Sequence, residues 1–218
     1  MSKLSFIYGP MNCGKSSRLL MTAHTYESSG KKPLIIKPTT DTRDGVFTHG
    51  SWGVIKSRFI KEGPRALYLA PGKWRDLTDI LPSISSFDAF LVDEVQFLQE
   101  DDIWFLSDIV DGVCPTKQNI ENFQKFGRPV ICYGLKTTAE GKLFDGSATL
   151  IAIADELEES RGVCKCGKRA TMHVRLCGGK CLIGEAGVES DNVKYESVCR
   201  RCFKKILAEQ NLDEAASF

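Results

Sequence analysis

Residues 9–16 read Gly9-Pro10-Met11-Asn12-Cys13-Gly14-Lys15-Ser16, a complete G-x-x-x-x-G-K-S. The run follows the apolar stretch Leu4-Ser5-Phe6-Ile7-Tyr8 and opens a helical pattern that extends from Lys15 to Ser28. A strand, a glycine-bounded loop and a helix start together form a cradle for phosphate oxygens. The loop N–H groups point at the anion, and the helix N-terminus adds a favourable dipole. In this spacing the Lys15 ammonium reaches the β- and γ-phosphates, and the Ser16 hydroxyl is a ligand for Mg²⁺. Gly9 to Ser16 are therefore the candidate phosphate-binding residues.

A second group with chemistry stands in Leu91-Val92-Asp93-Glu94-Val95-Gln96-Phe97, at the end of an apolar, strand-like run. Open α/β sheets bind ligands outside the carboxyl ends of their strands, which is where this acidic pair falls. Asp93 suits the carboxylate that helps to hold Mg²⁺ between two phosphates. Neighbouring strand residues point to opposite sides, so Glu94 is expected to face a different space from Asp93. A carboxylate beside the γ-phosphate can take the proton of an attacking hydroxyl or water, and Glu94 is the candidate general base.

The third group is a cysteine quartet, Cys164-Lys165-Cys166 and Cys199-Arg200-Arg201-Cys202. Two close pairs supply four thiolates to one tetrahedral Zn²⁺, a closed structural site. A module this small has little core of its own, and a metal staple compensates. Cys177 and Cys181 lie between the pairs as rival ligands. Of the remaining cysteines, Cys13, Cys114 and Cys132 read as buried thiols, with Cys13 set apart by its place in the phosphate loop, where its thiol can be acidified. His24, His49 and His173 have neither metal spacing nor a nucleophile partner and read as structural or surface groups.

The elements that carry these residues alternate. Strand-like runs occur at Leu4 to Tyr8, Pro33 to Lys37, Phe87 to Val92 and Pro129 to Tyr133, with Leu150 to Ala154 as a fifth. Helical stretches occupy Lys15 to Ser28 and Asp101 to Val110. This order predicts βαβ units and a mostly parallel sheet, covered on both faces because the strand interiors are uninterruptedly apolar. Residues 38–63 read as loop, with a hairpin around Gly50 to Val54, and Asn211 to Phe218 reads as a frayed end. Long apolar runs vanish after Arg161, which places a boundary near residue 160.

The chain has 218 residues and a formal net charge of +1, so neither nucleic acid nor a membrane surface is attracted to it as a whole. No apolar stretch approaches the length of a membrane span. No signal-peptide pattern is seen, and nine cysteines without a secretory context suit metal binding in a reducing, cytoplasmic setting.

Taken in order, the phosphate loop, Asp41-Thr42-Arg43, Val92-Asp93-Glu94-Val95-Gln96-Phe97, Tyr133-Gly134-Leu135 and Tyr195-Glu196-Ser197-Val198-Cys199-Arg200 closely resemble the type II thymidine kinases, in the form found in bacteria and phages. The likeness runs from Leu4 to about Lys205. It implies a RecA-like P-loop domain over 1–160, a small zinc-binding domain with a nucleoside-covering lasso over 161–205, and a C-terminal tail over 206–218. It implies Glu94 as the base on the nucleoside 5′-hydroxyl. Arg43, with Asp41 beside it, would lie near the transferred phosphate, and Gln96 among the residues of the phosphate side. Met11, Phe97, Leu135 and Tyr195 would line the nucleoside pocket.

The resemblance also implies ATP, Mg²⁺ and a structural Zn²⁺, a homotetramer, and feedback inhibition by dTTP. Three departures from the family pattern stand out. Ala139 replaces an aromatic residue, Ile183-Gly184 lies early relative to Tyr195, with Glu189-Ser190-Asp191 between, and residues 114–126 look inserted. The expected reaction is transfer of the ATP γ-phosphate to deoxythymidine. Its rivals are the same chemistry on a broader set of deoxynucleosides and, from a different class, a P-loop ATPase that binds nucleic acid through Arg200, Arg201, Lys204 and Lys205 of its zinc module.

Overall fold

A computed structural model describes residues 2–55, 63–81, 83–113, 127–178, 180–182 and 193–215. The strands of its main sheet are β1 (Leu4–Tyr8), β2 (Pro33–Pro38), β3 (Ser51–Val54), β4 (Arg65–Leu69), β5 (Ala89–Val92), β6 (Val130–Gly134) and β7 (Glu156–Glu159), in the spatial order β3-β4-β2-β5-β6-β1-β7. All neighbours run parallel except β3, which pairs antiparallel with β4. The hairpin expected around Gly50 to Val54 is therefore one strand of a wider pairing whose partner, Arg65–Leu69, the sequence reading had not picked out.

Alternation along the strands supplies two cores. Leu4, Phe6, Leu34, Ile36, Leu67, Leu69, Phe90 and Val92 face one side and pack with Phe105, Leu106 and Ile109 of α3 (Glu100–Asp111). Ile7, Ile35, Tyr68, Leu91 and Tyr133 face the other and pack with Leu19, Leu20 and Ala23 of α1 (Lys15–Ser28). Side chains with period two and a helix on each face give the doubly covered parallel sheet that the uninterrupted apolar strands predicted. A four-residue helix, α2 (Leu77–Ile80), precedes β5. The start of α3 is held by the buried Asp102 carboxylate, which accepts from Gln99 N at 3.0 Å and Gly72 N at 2.8 Å.

One expected strand is a helix. Leu150 to Ala154 belongs to α4 (Asp145–Ile153) and the residues just after it, and the edge strand β7 is the acidic Glu156–Glu159 instead. A short apolar run is equally compatible with a buried helix and a buried strand, and only its surroundings decide. Here Asp145 sits in the first turn, Leu150 is fully buried, and Gly146 lets the helix approach the turn after β5 very closely. A Cβ on Gly146 would stand 2.6 Å from the Val95 carbonyl oxygen and 2.7 Å from that of Leu98. β7 escaped notice because Glu-Leu-Glu-Glu has no apolar face. Its acids are matched by Lys3 and Arg18, which pair with Glu156 and Glu158.

Beyond residue 160 a smaller unit begins. Strands β8 (Gly162–Val163) and β9 (Arg169–Ala170) form a hairpin, and β10 (Met172–Cys177), β11 (Lys180–Cys181) and β12 (Val193–Val198) form an antiparallel sheet. Helix α5 (Arg200–Ala215) closes the unit through Phe203, Ile206 and Leu207. The helix continues through residue 205 to Ala215, so most of the stretch expected to fray is helical. Its Leu, Ala, Glu and Gln content favours that extension. Residues 114–126, with Cys114, and the lasso residues Ile183, Gly184, Glu189, Ser190 and Asp191 lie outside the described residues.

Gly146→Ala separates intrinsic preference from packing. Helix propensity alone would stabilise the variant by up to about 1 kcal/mol. The clash with two carbonyl oxygens predicts a net loss of about 1–3 kcal/mol, read as a lower urea midpoint. A midpoint at or above that of the parent would refute this account of the α4 contact.

Candidate active site

The phosphate loop leaves β1 at Tyr8 and enters α1 at Lys15. Its backbone is special in two places. Gly14 has φ 86° and Asn12 has φ 59°, so the chain makes two left-handed steps within three residues. Gly9 is packed so closely that a Cβ would stand 2.6 Å from both Cys13 Sγ and the Ser160 carbonyl oxygen. Lys15 is buried and its Nζ donates to the carbonyls of Gly9 at 3.2 Å and Pro10 at 2.8 Å, curling the loop around the ammonium. No side chain caps the N-terminus of α1, and no acidic residue lies in its first turn. Uncapped N–H groups with a cation at their centre suit an anion with several oxygens.

Neighbouring elements fix the loop from behind. Gly9 N donates to Gly134 O at the end of β6, and Ser160 Oγ donates to Cys13 O at 2.9 Å. The smaller unit also touches the loop: Ser197 Oγ donates to Met11 O, and Asn12 Nδ2 donates to Tyr195 O at 3.4 Å. Met11, Asn12 and Tyr195 are thus brought together, through the Tyr195 main chain, while its ring lies 6.0 Å from that of His173. His173 is buried, and burial, then the Lys15 charge, lowers its imidazole to about 4. It is a neutral packing group, as expected. Cys13 is half-buried, with its sulfur 3.6 Å from Lys15 Nζ, whereas Cys132 is fully buried.

The carboxylates lie at the carboxyl ends of β2 and β5. The strand stops at Val92, and Glu94 adopts a left-handed conformation, φ 53° and ψ 41°. This corrects the expectation that Asp93 and Glu94 face different spaces. Strand alternation ends with the strand, and the left-handed step turns both carboxylates into one charged cluster. Both are buried, at 2% and 5% exposure. Arg43 Nη2 donates to Glu94 Oε1, and Gln96 Nε2 donates to Glu94 Oε2. Arg43 also grips Asp41, Nε to Oδ1 at 2.7 Å and Nη2 to Oδ2 at 2.9 Å. Gln96 Oε1 accepts from Leu135 N at 2.9 Å, which ties Glu94 to the strand that supports the phosphate loop.

Two cluster members escaped sequence reading, Lys37 and Asp44. Lys37 Nζ lies 2.8 Å from Asp41 Oδ2, directly against Asp44, and 3.8 Å from Asp93 Oδ2. The available signal was a charged residue inside an apolar strand. Burial by itself would raise the Asp41 carboxyl, but Arg43, and then Lys37, hold it well below the usual range. Asp93 goes the other way. Burial, then the adjacent Glu94, push it up to about 7 against Lys37 and Arg43.

Among the described residues Asp93 Oδ1 has no hydrogen-bond partner although it is buried. Among the described residues four carboxylates and two cations meet here, and the buried, unpartnered Asp93 oxygen suits a divalent ion. The residues therefore fit Mg²⁺, with Asp93 and Ser16 as the groups that would hold it.

Phe97 and Leu135 flank Gln96. Phe97 is 40% exposed and meets Phe144 edge-on at 6.4 Å, while Leu135 is buried and its carbonyl accepts from Ser147 Oγ at 2.6 Å.

The cysteine quartet is assembled in the smaller unit. The Sγ atoms of Cys164, Cys166, Cys199 and Cys202 all lie within 4.8 Å of one another, with Cys166 3.5 Å from Cys164 and 3.7 Å from Cys199. Four thiolates bound tetrahedrally at the usual Zn–S length stand about 3.8 Å apart. Backbone amides of Cys166 and Cys199 lower the Cys164 thiol to about 6, while hydrogen bonds to Cys166, then Cys199 and Cys164, raise Cys202 to about 12. Zn²⁺ binding takes thiolates, so an ion entering the quartet would displace thiol protons. Cys177 and Cys181 do not belong to this group. They pair with Lys180 and Leu176, and so point to opposite faces of their sheet.

An α/β sheet with an uncapped phosphate loop on one strand end and a buried carboxylate pair on another defines a P-loop phosphotransferase. The family model for thymidine kinase matches residues 2–203. Three curated relatives, each named thymidine kinase, are similar along nearly the whole chain. That of Rhizobium meliloti (strain 1021) is 40% identical, covering 92% of this chain and 95% of the relative. That of Xanthomonas oryzae pv. oryzae (strain MAFF 311018) is 37% identical, covering 95% and 91%. That of Francisella tularensis subsp. holarctica (strain LVS) is 32% identical, covering 94% and 98%. The chain belongs to the thymidine kinase family, and it is a nucleoside kinase.

The raised Asp93 carboxyl has a consequence for stability. Between the ordinary carboxylate value of about 4 and about 7, the folded chain keeps a proton that the unfolded chain has released. Asp93 therefore subtracts stability progressively as pH rises through that window. Asp93→Asn should raise the thermal midpoint at pH 8 in buffer containing chelator, with the gain fading toward pH 5. Equal midpoints at pH 8 would contradict the assignment.

Proposed function

We propose that the protein transfers the γ-phosphate of ATP to the 5′-hydroxyl of deoxythymidine, giving dTMP and ADP. The observation that carries the reading is the position of Glu94. It is a buried carboxylate at the carboxyl end of β5, held by Arg43 and Gln96 and linked through Gln96, Leu135 and Gly134 to the phosphate loop. In-line transfer asks for positioning and charge neutralisation more than for covalent chemistry. The loop amides and Lys15 hold the phosphates. Ser16 and Asp93 would hold Mg²⁺, which would neutralise charge on the phosphates. Glu94 takes the hydroxyl proton, and Arg43, pivoting on Asp41, turns to the transferred phosphate. Met11, Phe97, Leu135 and Tyr195 surround the nucleoside, with Phe97 as the stacking face.

The remaining features follow the same reading. Zn²⁺ in the cysteine quartet staples the unit whose β12 touches Met11 and Asn12, so the metal supports the loop from a distance. Among the described residues no helix is long and apolar enough to cross a membrane. The protein acts in the cytoplasm in nucleotide salvage, as a homotetramer measurable by sedimentation equilibrium, under feedback inhibition by dTTP.

One assay tests the reaction: ATP, Mg²⁺ and a panel of deoxynucleosides, with 5′-monophosphates detected and dTTP added as competitor. Deoxythymidine should be the best acceptor, and dTTP should suppress its use. Glu94→Gln should lower turnover by about 10² or more while deoxythymidine binding persists. Turnover close to that of the parent would remove Glu94 as the base. For the metal, purified protein should carry one zinc per chain, and Cys199→Ser should lose it together with thermal stability. Unchanged zinc content in that variant would end the proposal for the quartet.

A further inference from the structure

Lys37 is a buried cation that the reaction above does not use. Its side chain is 3% exposed and it meets three carboxylates from two segments: Asp41 and Asp44 from the loop after β2, and Asp93 from the turn after β5. Removing an ammonium from water costs several kcal/mol, so a strand end that only needed packing would be filled more cheaply by an apolar side chain. The contacts form a relay. Lys37 holds Asp41, Asp41 holds Arg43 by two hydrogen bonds, and Arg43 reaches Glu94. The same loop is pinned again at Asp44, which also accepts from Tyr68 Oη at 3.3 Å, while Phe47 stacks on the Tyr68 ring at 3.9 Å. Arg43 itself is 38% exposed. Its base of support is not free, because Asp41 is fixed from the opposite side by Lys37.

We propose that Lys37 is a positioning residue for phosphoryl transfer, a buried ammonium that locks Asp41 and its loop so that Arg43 is presented to the transferred phosphate. The inference rests on the role given to Arg43. Lys37 touches no substrate in this scheme and acts only through Asp41.

A double-mutant cycle on kcat tests it. Lys37→Met should lower kcat by about tenfold or more, with the deoxythymidine KM changed by less than about threefold. Arg43→Met should lower kcat similarly, and the double variant should fall no more than about threefold below the worse single. Thermal melts establish that each variant is folded. Should Lys37→Met fail to fold, Lys37→Arg carries the same cycle, since it keeps the charge but replaces a compact ammonium with a planar fork. Losses that multiply, or a folded Lys37→Met with near-parental kcat, overturn the role of Lys37 alone. Parental kcat in Arg43→Met overturns the reading of Arg43 and the Lys37 relay with it.

Discussion

The site depends on keeping four carboxylates and the Lys37 ammonium out of water at one end of a sheet. Asp41, Asp44, Asp93 and Glu94 are all buried, and Lys37 and Arg43 pair with them. Such a cluster is a poor way to stabilise a fold, because desolvation of each charge offsets most of its pairing energy. Its arrangement makes sense as stored electrostatics. Asp93 is left with an orphaned oxygen and a raised affinity for protons, while Asp41 is held firmly ionised. The orphaned Asp93 oxygen is the feature that a divalent cation would satisfy.

The surrounding fold supplies rigidity where this cluster needs it. The sheet brings the ends of β1, β2, β5 and β6 to one edge, so a loop from each can meet its neighbours. Backbone groups carry much of the fixing: Gly134 O receives Gly9 N, Leu135 N reaches Gln96, and Asp93 N donates to Ile36 O at 3.0 Å. Strain sits at Asn12 and Glu94, both non-glycine residues with positive φ, and both belong to functional segments. The smaller unit adds a second support, since β12 reaches the phosphate loop through Ser197 and the Tyr195 carbonyl.

Local chemistry in the chain was enough to recognise much of this. The phosphate loop, the carboxylate pair and each of the two close cysteine pairs are written in residue types at short spacing. Strands β1 and β2 and helix α1 emerge from apolar periodicity with boundaries correct to within a residue. Where periodicity was silent, the reading failed. Leu150–Ala154 could not be told from a strand because a short buried run has no distinguishing period, and Glu156–Glu159 could not be recognised because its acids are balanced by residues far away in the chain.

The amino-acid order by itself determined the covered parallel sheet and the phosphate cradle, because each depends on contacts between near neighbours or on a repeating pattern. Tertiary structure alone decided that Lys37 and Asp44 belong to the site and that Asp93 and Glu94 share one cluster. It also decided that Cys177 and Cys181 stand apart from the metal quartet. Those outcomes depend on which charged groups meet after burial, and on which way a single left-handed residue turns the chain. Both are settled by long-range packing and desolvation, which leave no periodic trace in the sequence.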